Sequence, residues 1–442
     1  MIDTKALRSR ILDLAIQGKL TEQLPSESID TTDISLLSEF PYTIPKNWKW
    51  TTIQSIVSKD VGGGTPSKSM PEYWKNGDIP WMSVKDFSSA KNGILDDTID
   101  HITQAGLDNS SSNLVDEEAI IICMRMALGK IVKINKPMAI NQDLRAIWLK
   151  SFIDNNYFVF FYSTLKVEGH GMTVAGISKA QLMSYPFPLP PLAEQKRIVE
   201  RVEEIFRLLN TIDKAQEKYS ADSQILKAKL ITAGIQGKLT KQLESDGTAH
   251  ELYQQIQEEK QKLIKEGKIK KEKPLPPISP DEIPFEIPQN WMWVRLGEIM
   301  WNRDSERIPV SVADRKKLKK IYDYYGASGV IDKVEDYLFD KRLLLIGEDG
   351  ANLLSRSTPI AFMADGKYWV NNHAHVLDCY IENYLDFVMY YINAISLVPY
   401  VTGSAQPKLN QDRMNKIPIP LPPLAEQKRI ADVLERVLGV VE

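Results

Sequence analysis

The sequence is poor in cysteine, with two in 442 residues, and Cys123 and Cys379 lie far apart in apolar or aromatic surroundings. Such a pair builds neither a disulfide framework nor a thiolate metal site, and it fits a reducing compartment. No apolar run approaches the length of a membrane span, and the opening MIDTKALRSRILDLAIQGKL is too charged for a secretory leader. A cytoplasmic protein with no membrane partner is the expectation. Charge of one sign is also scarce: 55 basic against 58 acidic side chains leave a net charge of −3. That excludes wholesale nonspecific coating of nucleic acid while permitting local basic surfaces. Two stretches qualify, RKKLKK (Arg315 to Lys320) and the mixed run from Glu258 to Lys273. A solvated helix face or linker is the competing reading of each.

Catalytic signatures are missing as well. GGGTPSKS (Gly62 to Ser69) resembles a phosphate-binding loop, but Ser67 stands where a glycine must precede the lysine, so the backbone cradle is incomplete. His373 and His375 would point the same way on a strand and could ligate a metal. No third or fourth ligand has suitable spacing, however, and hydrogen-bonding histidines are expected instead. LPPL at Leu189 and at Leu421 carries leucine on both sides of the prolines, where an amino-methyltransferase loop has a polar residue before and an aromatic after. Leucine neither hydrogen-bonds the amino group being methylated nor stacks on its base. No glycine-rich cofactor loop, carboxylate-rich nuclease cluster or activated cysteine emerges. The chain reads as a binder with no metal and no catalytic residue of its own.

What the sequence does have is duplication. AIQGKLTEQL (Ala15 to Leu24) returns as GIQGKLTKQL (Gly234 to Leu243), and IPKNWKW (Ile44 to Trp50) returns as IPQNWMW (Ile287 to Trp293). LPPLAEQKRI (Leu189 to Ile198) returns at Leu421 to Ile430, each copy preceded by a weaker echo, GISKAQL (Gly176 to Leu182) and KLNQDRM (Lys408 to Met414). Between the echoes, Trp50 to Gln181 and Trp293 to Arg413 share no extended string. A repeated frame with a changed payload suits a protein that holds two different recognition surfaces.

The frame is expected to be helical. After Pro190 and Pro191, apolar residues recur at steps of four and three: Ile198, Val202, Ile205, Leu209 and Ile212. The register weakens at Gln216, Tyr219 and Ser223, where a bend or break is expected, and resumes at Leu226, Leu230 and Ala233. A helix from Leu192 to about Tyr219 would be roughly 40 Å long at ~1.5 Å per residue, or about 12 base pairs at ~3.4 Å each. Ile430, Leu434, Val437 and Val441 repeat the first part of the seam, and Leu7, Ile11 and Leu14 repeat the second, so the repeat is circular. Placing the C-terminal helix against the N-terminal one would rebuild a copy of the central pair. An α+β chain follows, with two mixed α/β domains separated by long helices that form an antiparallel coiled coil of circular pseudo-two-fold symmetry.

The variable segments carry recognition chemistry. The first offers Gly63, Thr65, Ser67, Lys68 and Tyr73 in one loop, then Arg125, Lys130, Asn141 and Gln142 on short β-like pieces. The second offers Lys316, Lys317, Tyr325, Ser328, Asn352, Arg356, Asn371, Asn372 and His373. Small backbones allow close approach, hydroxyls and lysines take phosphates, Asn and Gln read adenine, and Arg reads guanine. Turn chemistry or a satisfied buried amide is the competing reading for any one of them.

Two PLPPLAEQKRI helices, two IQGKLT segments and two IPxNWxW strings, in this order, make the chain similar to the specificity subunit of type I restriction-modification systems. The resemblance spans essentially the whole chain. It implies target recognition domains at 43–188 and 284–420, with an N-terminal helical arm at 1–42. A central helical region and linker then occupy 189–283, and a C-terminal helix 421–442. It further implies double-stranded DNA as ligand, read as a split asymmetric site. Two modification (methyltransferase) subunits and two restriction (motor and nuclease) subunits would be partners. S-adenosylmethionine, ATP and magnesium would belong to those partners, with no cofactor in this chain. Between QGKLT and NWxW the second copy is longer, 48 residues from Leu239 to Ile287 against 24 from Leu20 to Ile44. The excess holds the basic-acidic stretch, expected as a partner-contacting helix or a solvated arm. Outside this family, a duplicated-domain adaptor, an orphan DNA-binding protein and a stand-alone enzyme are the rival classes.

Overall fold

Leu192 opens a helix that runs unbroken to Ile235, 44 residues in all. The structure, a computed structural model, describes residues 1–29, 37, 41–169, 175–381, 385–403 and 405–441. The break expected near Tyr219 is absent. No proline or glycine occurs between Leu192 and Ala233, and the residues that spoil the seam are compatible with continued helix. The chain divides within this helix into two compact units, Met1–Glu217 and Lys218–Glu442. No helix among the described residues is long and apolar enough to cross a membrane.

In the first unit the N-terminal helix, Thr4–Ile16, lies antiparallel to the first half of the long helix. Thr4 and Arg8 both donate to Asp213, at 2.5 and 2.8 Å, while Ala15 and Ile16 bury against Ile198 and Val202. In the second unit the C-terminal helix, Leu424–Val440, packs on the other half of the long helix. There the bare backbone of Gly234 lets Ile430 and Leu434 close in. Within each unit the terminal helix takes one half of the long helix as its partner, Thr4–Ile16 the first half and Leu424–Val440 the second. Of the seam residues, Ile198, Val202, Leu209, Ile430 and Leu434 are buried. Ile205, Ile212, Ile11, Leu14, Val437 and Val441 are part-buried, and Leu7 is exposed.

The repeated strings meet at one buried node in each unit. Glu194, fully buried in the first turn of the long helix, accepts hydrogen bonds from Thr21 Oγ1 (3.2 Å), Gln23 Nε2 (2.6 Å) and Trp48 Nε1 (2.8 Å). Glu426 accepts the same three from Thr240, Gln242 and Trp291, at 3.0, 2.6 and 2.9 Å. One turn further on, Arg197 grips Glu27 through both guanidinium nitrogens, and Arg429 grips Asp246 in the same way. These arginines hold the Glu27 and Asp246 carboxyls below the usual range. Gly18 and Gly237 turn the chain at φ 66° and 70°, where a Cβ would meet Pro45 or Pro288 at 2.3 or 2.5 Å. QGKLT, NWxW and AEQKRI are thus parts of one device, built twice.

Each variable segment leaves this frame and returns to it through a two-stranded antiparallel neck. Lys49–Thr52 pairs with Pro186–Leu189, and Met292–Arg295 with Pro418–Leu421. Beyond the neck, the first domain has a five-stranded sheet ordered Val57–Gly62, Leu144–Leu149, Ile120–Cys123, Ile131–Ile134 and Ile94–Leu95. A four-stranded sheet adds Asp100–Ile102, Ile79–Met82, Met138–Ile140 and Asn113–Val115. The second domain repeats the connectivity without a counterpart of the edge strand Ile94–Leu95. Met300–Asn302, Ala374–Cys379, Leu343–Gly347 and Ala361–Ala364 form one sheet; Gly329–Val334, Tyr322–Gly326, Lys367–Val370 and Phe339–Asp340 form the other. Two central strands run parallel at matching places in both domains, Ile79–Met82 with Met138–Ile140 and Tyr322–Gly326 with Lys367–Val370. Central strands IIIC and LLLIG are buried on both faces: Ile120 and Ile122 face one core and Ile121 and Cys123 another, as Leu344 and Ile346 do opposite Leu343 and Leu345.

The excess in the second unit is a strap. A capping box at Thr248 and Glu251 starts a helix, Ala249–Lys265, whose Leu252 and Ile256 enter the second domain's core. Lys260 donates to the Gly297 carbonyl, and buried Arg295 clamps the following proline-rich segment through Pro276 O, Pro277 O and Glu282. The solvated-arm reading of this stretch is therefore replaced by a packed one.

Candidate nucleic-acid interface

A short turn between the two sheets organises the polar face of each recognition domain. In the first, Met138–Ile140 ends in Asn141, Gln142 and Asp143 before the next strand begins at Leu144. Buried Asn141 accepts the Asp143 N–H on its side-chain oxygen at 3.0 Å and sends its own N–H to the Met82 carbonyl. Gly63 passes so close that a Cβ would meet the Ile140 and Asn141 carbonyl oxygens at 2.1 and 2.3 Å, which explains glycine there. Thr65 donates its hydroxyl to the Gln142 amide oxygen, orienting an exposed side chain. Arg125, also exposed, lies 3.9 Å from the Asp143 carboxylate. Behind the turn Asp60 is held by Arg145 and by Lys179 at 2.8 Å.

The second domain builds the same turn from Asn371, Asn372 and His373. Buried Asn371 accepts the His373 N–H at 2.8 Å, Asn372 is exposed, and His373 Nδ1 faces Asp349 at 2.8 Å. Ser328 is exposed at the end of the neighbouring hairpin. Of the basic run, Arg315 and Lys320 both bind Asp332, whose carboxyl their hydrogen bonds hold well below its ordinary range, and Arg315 covers the Tyr324 ring at 4.6 Å. Lys316 and Lys317 face solvent, Lys317 lying 3.4 Å from Asp314.

The structure thus gathers Gly63, Thr65, Arg125, Asn141 and Gln142 in one place, and Asn371, Asn372 and His373 in the matching place. Lys68 and Lys130 are exposed on loops, Ser67 bonds Ser69, and Tyr73 is half-buried with its carbonyl accepting Thr103 N–H. Three expected readers have other work. Tyr325 packs its ring on Phe362 and Tyr368, and the Asn352 amide closes a turn onto Thr358. Arg356 adopts a left-handed backbone (φ 51°) and donates to the Ile392 and Ile395 carbonyls at the end of the helix Leu385–Ala394. Asp143, Asp349 and Lys408 were not anticipated; their signal is nearness to the two turns, which sequence spacing conceals.

Asp304, Glu348 and His375 bring three potential ligand atoms within 4.8 Å of one another. Arg307 and Lys408 already sit on Glu348, at 2.8 and 3.1 Å, and His375 spans Asp304 (2.6 Å) and the Leu409 carbonyl (2.7 Å). Burial would raise the Asp304 carboxyl, but the hydrogen bond and charge of His375 with the Arg307 charge nearby bring it below its usual value. These contacts tie Asp304, Glu348 and His375 into an ion network within the second domain. Burial pushes the Cys123 thiol up, away from reactivity.

A family model for the type I restriction modification DNA specificity domain matches residues 45–219 and 288–441. The chain belongs to this family. Each matched stretch starts beside the neck and runs to a frame helix, taking in NWxW, the variable segment and AEQKRI while QGKLT lies outside it. The EcoprrI specificity subunit of Escherichia coli is 26% identical over 387 residues, covering 85% of this chain and 84% of that protein. The EcoEI specificity subunit of the same organism is 25% identical over 382 residues, with 68% and 62% covered. The EcoR124I/EcoR124II specificity subunit is 33% identical over 177 residues, 37% of this chain and 42% of the relative. The matched region spans less than two thirds of these last two relatives. Among solved structures, a chain described under "complex assembly and conformational transition of the type I R-M system" superposes with a TM-score of 0.61 at 16% identity, covering 91% and 92%. The HsdS subunit from Thermoanaerobacter tengcongensis gives 0.52 at 16% identity, with 92% of each chain covered. These likenesses establish the α+β fold of a type I specificity subunit.

Proposed function

We propose that this specificity subunit is the non-catalytic DNA reader of a type I restriction-modification complex, each recognition domain reading one half of a split asymmetric site. The observation that carries this reading is the contrast within the chain. Frame node and neck are the same twice and the strand connectivity matches but for one edge strand, while the exposed side chains around the two Asn turns differ. Unlike half-sites follow from unlike turns.

The frame presents similar outer surfaces twice, which favours two copies of one partner. Thr21 and Arg197 line a groove in the first unit, and their counterparts Thr240 and Arg429 line one in the second. Two modification subunits are the proposed occupants, with two restriction subunits joining them. S-adenosylmethionine, ATP and magnesium would act in those partners.

Co-expression with the cognate modification subunit, followed by methylome sequencing of host DNA, tests the reading. Methyladenine at one split motif with two unlike halves is the expected result. A stable complex that leaves the host DNA unmethylated and binds no split site would overturn it in favour of an adaptor role.

A further inference from the structure

Hydrogen bonds align the two recognition turns where sequence does not. Asn141 N–H to Met82 O corresponds to Asn371 N–H to Tyr325 O, and Met124 N–H to Asp143 O corresponds to Glu348 N–H to His373 O. Ile177 N–H to Met124 O corresponds to Leu409 N–H to Glu348 O, and the bridge Arg125–Gly176 to the bridge Asp349–Lys408. The loop shape agrees, since Met126 and Gly350 both take positive φ, 66° and 106°. Arg125 therefore matches Asp349, Gln142 matches Asn372, and Asp143 matches His373.

The matched positions behave in three ways. The buried one is identical, because the turn needs the Asn side-chain oxygen. The exposed tip keeps an amide, Gln142 or Asn372, although nothing in the turn requires one. The flanking pair is inverted: a cation at 125 faces an acid at 143, whereas an acid at 349 faces histidine at 373. An amide side chain matches the donor and acceptor of adenine's major-groove edge. A guanidinium matches the two acceptors of guanine, which a carboxylate repels. Thr65, bonded to the Gln142 oxygen, further restricts where that amide can point.

We propose that Gln142 and Asn372 each read an adenine, and that the residue at 125 or 349 sets the neighbouring base apart, favouring guanine in the first half-site and rejecting it in the second. This assignment rests on the DNA-reading role proposed above.

The test is the methylome of hosts carrying the full chain and its modification subunit, compared among the parent, Gln142→Ala, Gln142→Asn, Arg125→Ala and Asn372→Ala. Gln142→Ala should lower the preference for adenine at one position by about 10- to 100-fold, the size of a lost bidentate contact, while the other half-site stays as in the parent. Gln142→Asn, which installs the second domain's amide, should retain adenine. Arg125→Ala should relax a guanine in the same half-site, and Asn372→Ala an adenine in the other. The unchanged half-site reports that each variant is folded. Alanine variants that keep the parent motif, a Gln142→Asn variant that loses the adenine, or variants that weaken methylation of all sequences alike as a phosphate contact would, overturn the assignment alone. A parent that methylates no split motif overturns the DNA-reading role, and the assignment falls with it.

Discussion

Glu194 takes three hydrogen bonds at a fully buried position, so its removal strands the buried Trp48 indole N–H and takes an acceptor from Thr21 and from Gln23, which keeps only the Gly18 and Thr21 carbonyls. Glu194→Ala should destabilise the first unit by about 3 kcal/mol or more, read by chemical denaturation, and Glu426→Ala should do the same to the second. Gly18→Ala should cost at least about 1–2 kcal/mol, since alanine would have to hold φ 66° and its Cβ would meet Pro45. A pH effect belongs to the strap. Arg295 hydrogen bonds pull the Glu282 carboxyl down from 4.5 to about 2, so its charged form stabilises the fold at neutral pH. That contribution is complete above the unfolded value near 4.5 and disappears as pH falls toward 2. Glu282→Gln should therefore lower the unfolding midpoint at pH 7, and its deficit should shrink across that window. The repeated strings were readable from sequence, but their convergence on one carboxylate was not. Trp48 and Glu194 stand 146 positions apart, and no periodicity reports such a contact. Among the candidate readers, Asn141 and Gln142 looked alike in sequence, and only the fold separates the buried turn-former from the exposed amide.

At the scale of elements, the apolar seam identified the frame helices and their antiparallel sense, but it overstated their burial. Leu7 is exposed because the N-terminal helix meets the long one mainly through Ala15, Ile16 and polar contacts at Asp213. The matching connectivity of the two recognition domains was invisible in the sequence for a physical reason. A strand buried on both faces needs only a run of apolar residues, and IIIC and LLLIG satisfy the same place while sharing a single residue at matched positions, Ile122 with Ile346. The helix of the strap is legible in the sequence, but its packing is hidden because its charged face dominates its composition, while Leu252, Ile256 and Leu263 supply a buried stripe. Ile256→Ala should cost about 2–4 kcal/mol, the usual range for emptying a packed core position, measured as a shift of the unfolding midpoint.

For the molecule as a whole, the prediction is modularity. Replacing 53–185 with the corresponding segment of another specificity subunit, cut between the neck strands, should change one half-site and leave the other intact in methylome sequencing. Two altered half-sites would contradict domains that read independently. Binding of the assembled complex to its site should also weaken steeply with salt, log K falling by roughly 0.9 per phosphate contact for each unit of log salt concentration. A flat response would mark a protein ligand instead. The neck has one more consequence, and it concerns heredity. Both of its strands adjoin stretches that the chain spells out twice, so the edges of each reading cassette fall beside repeated text. Wherever the codons match as well, recombination between those stretches would deliver a new pairing of cassettes already seated in a working fold. A lineage could then revise what it reads in one step, without passing through destabilised intermediates.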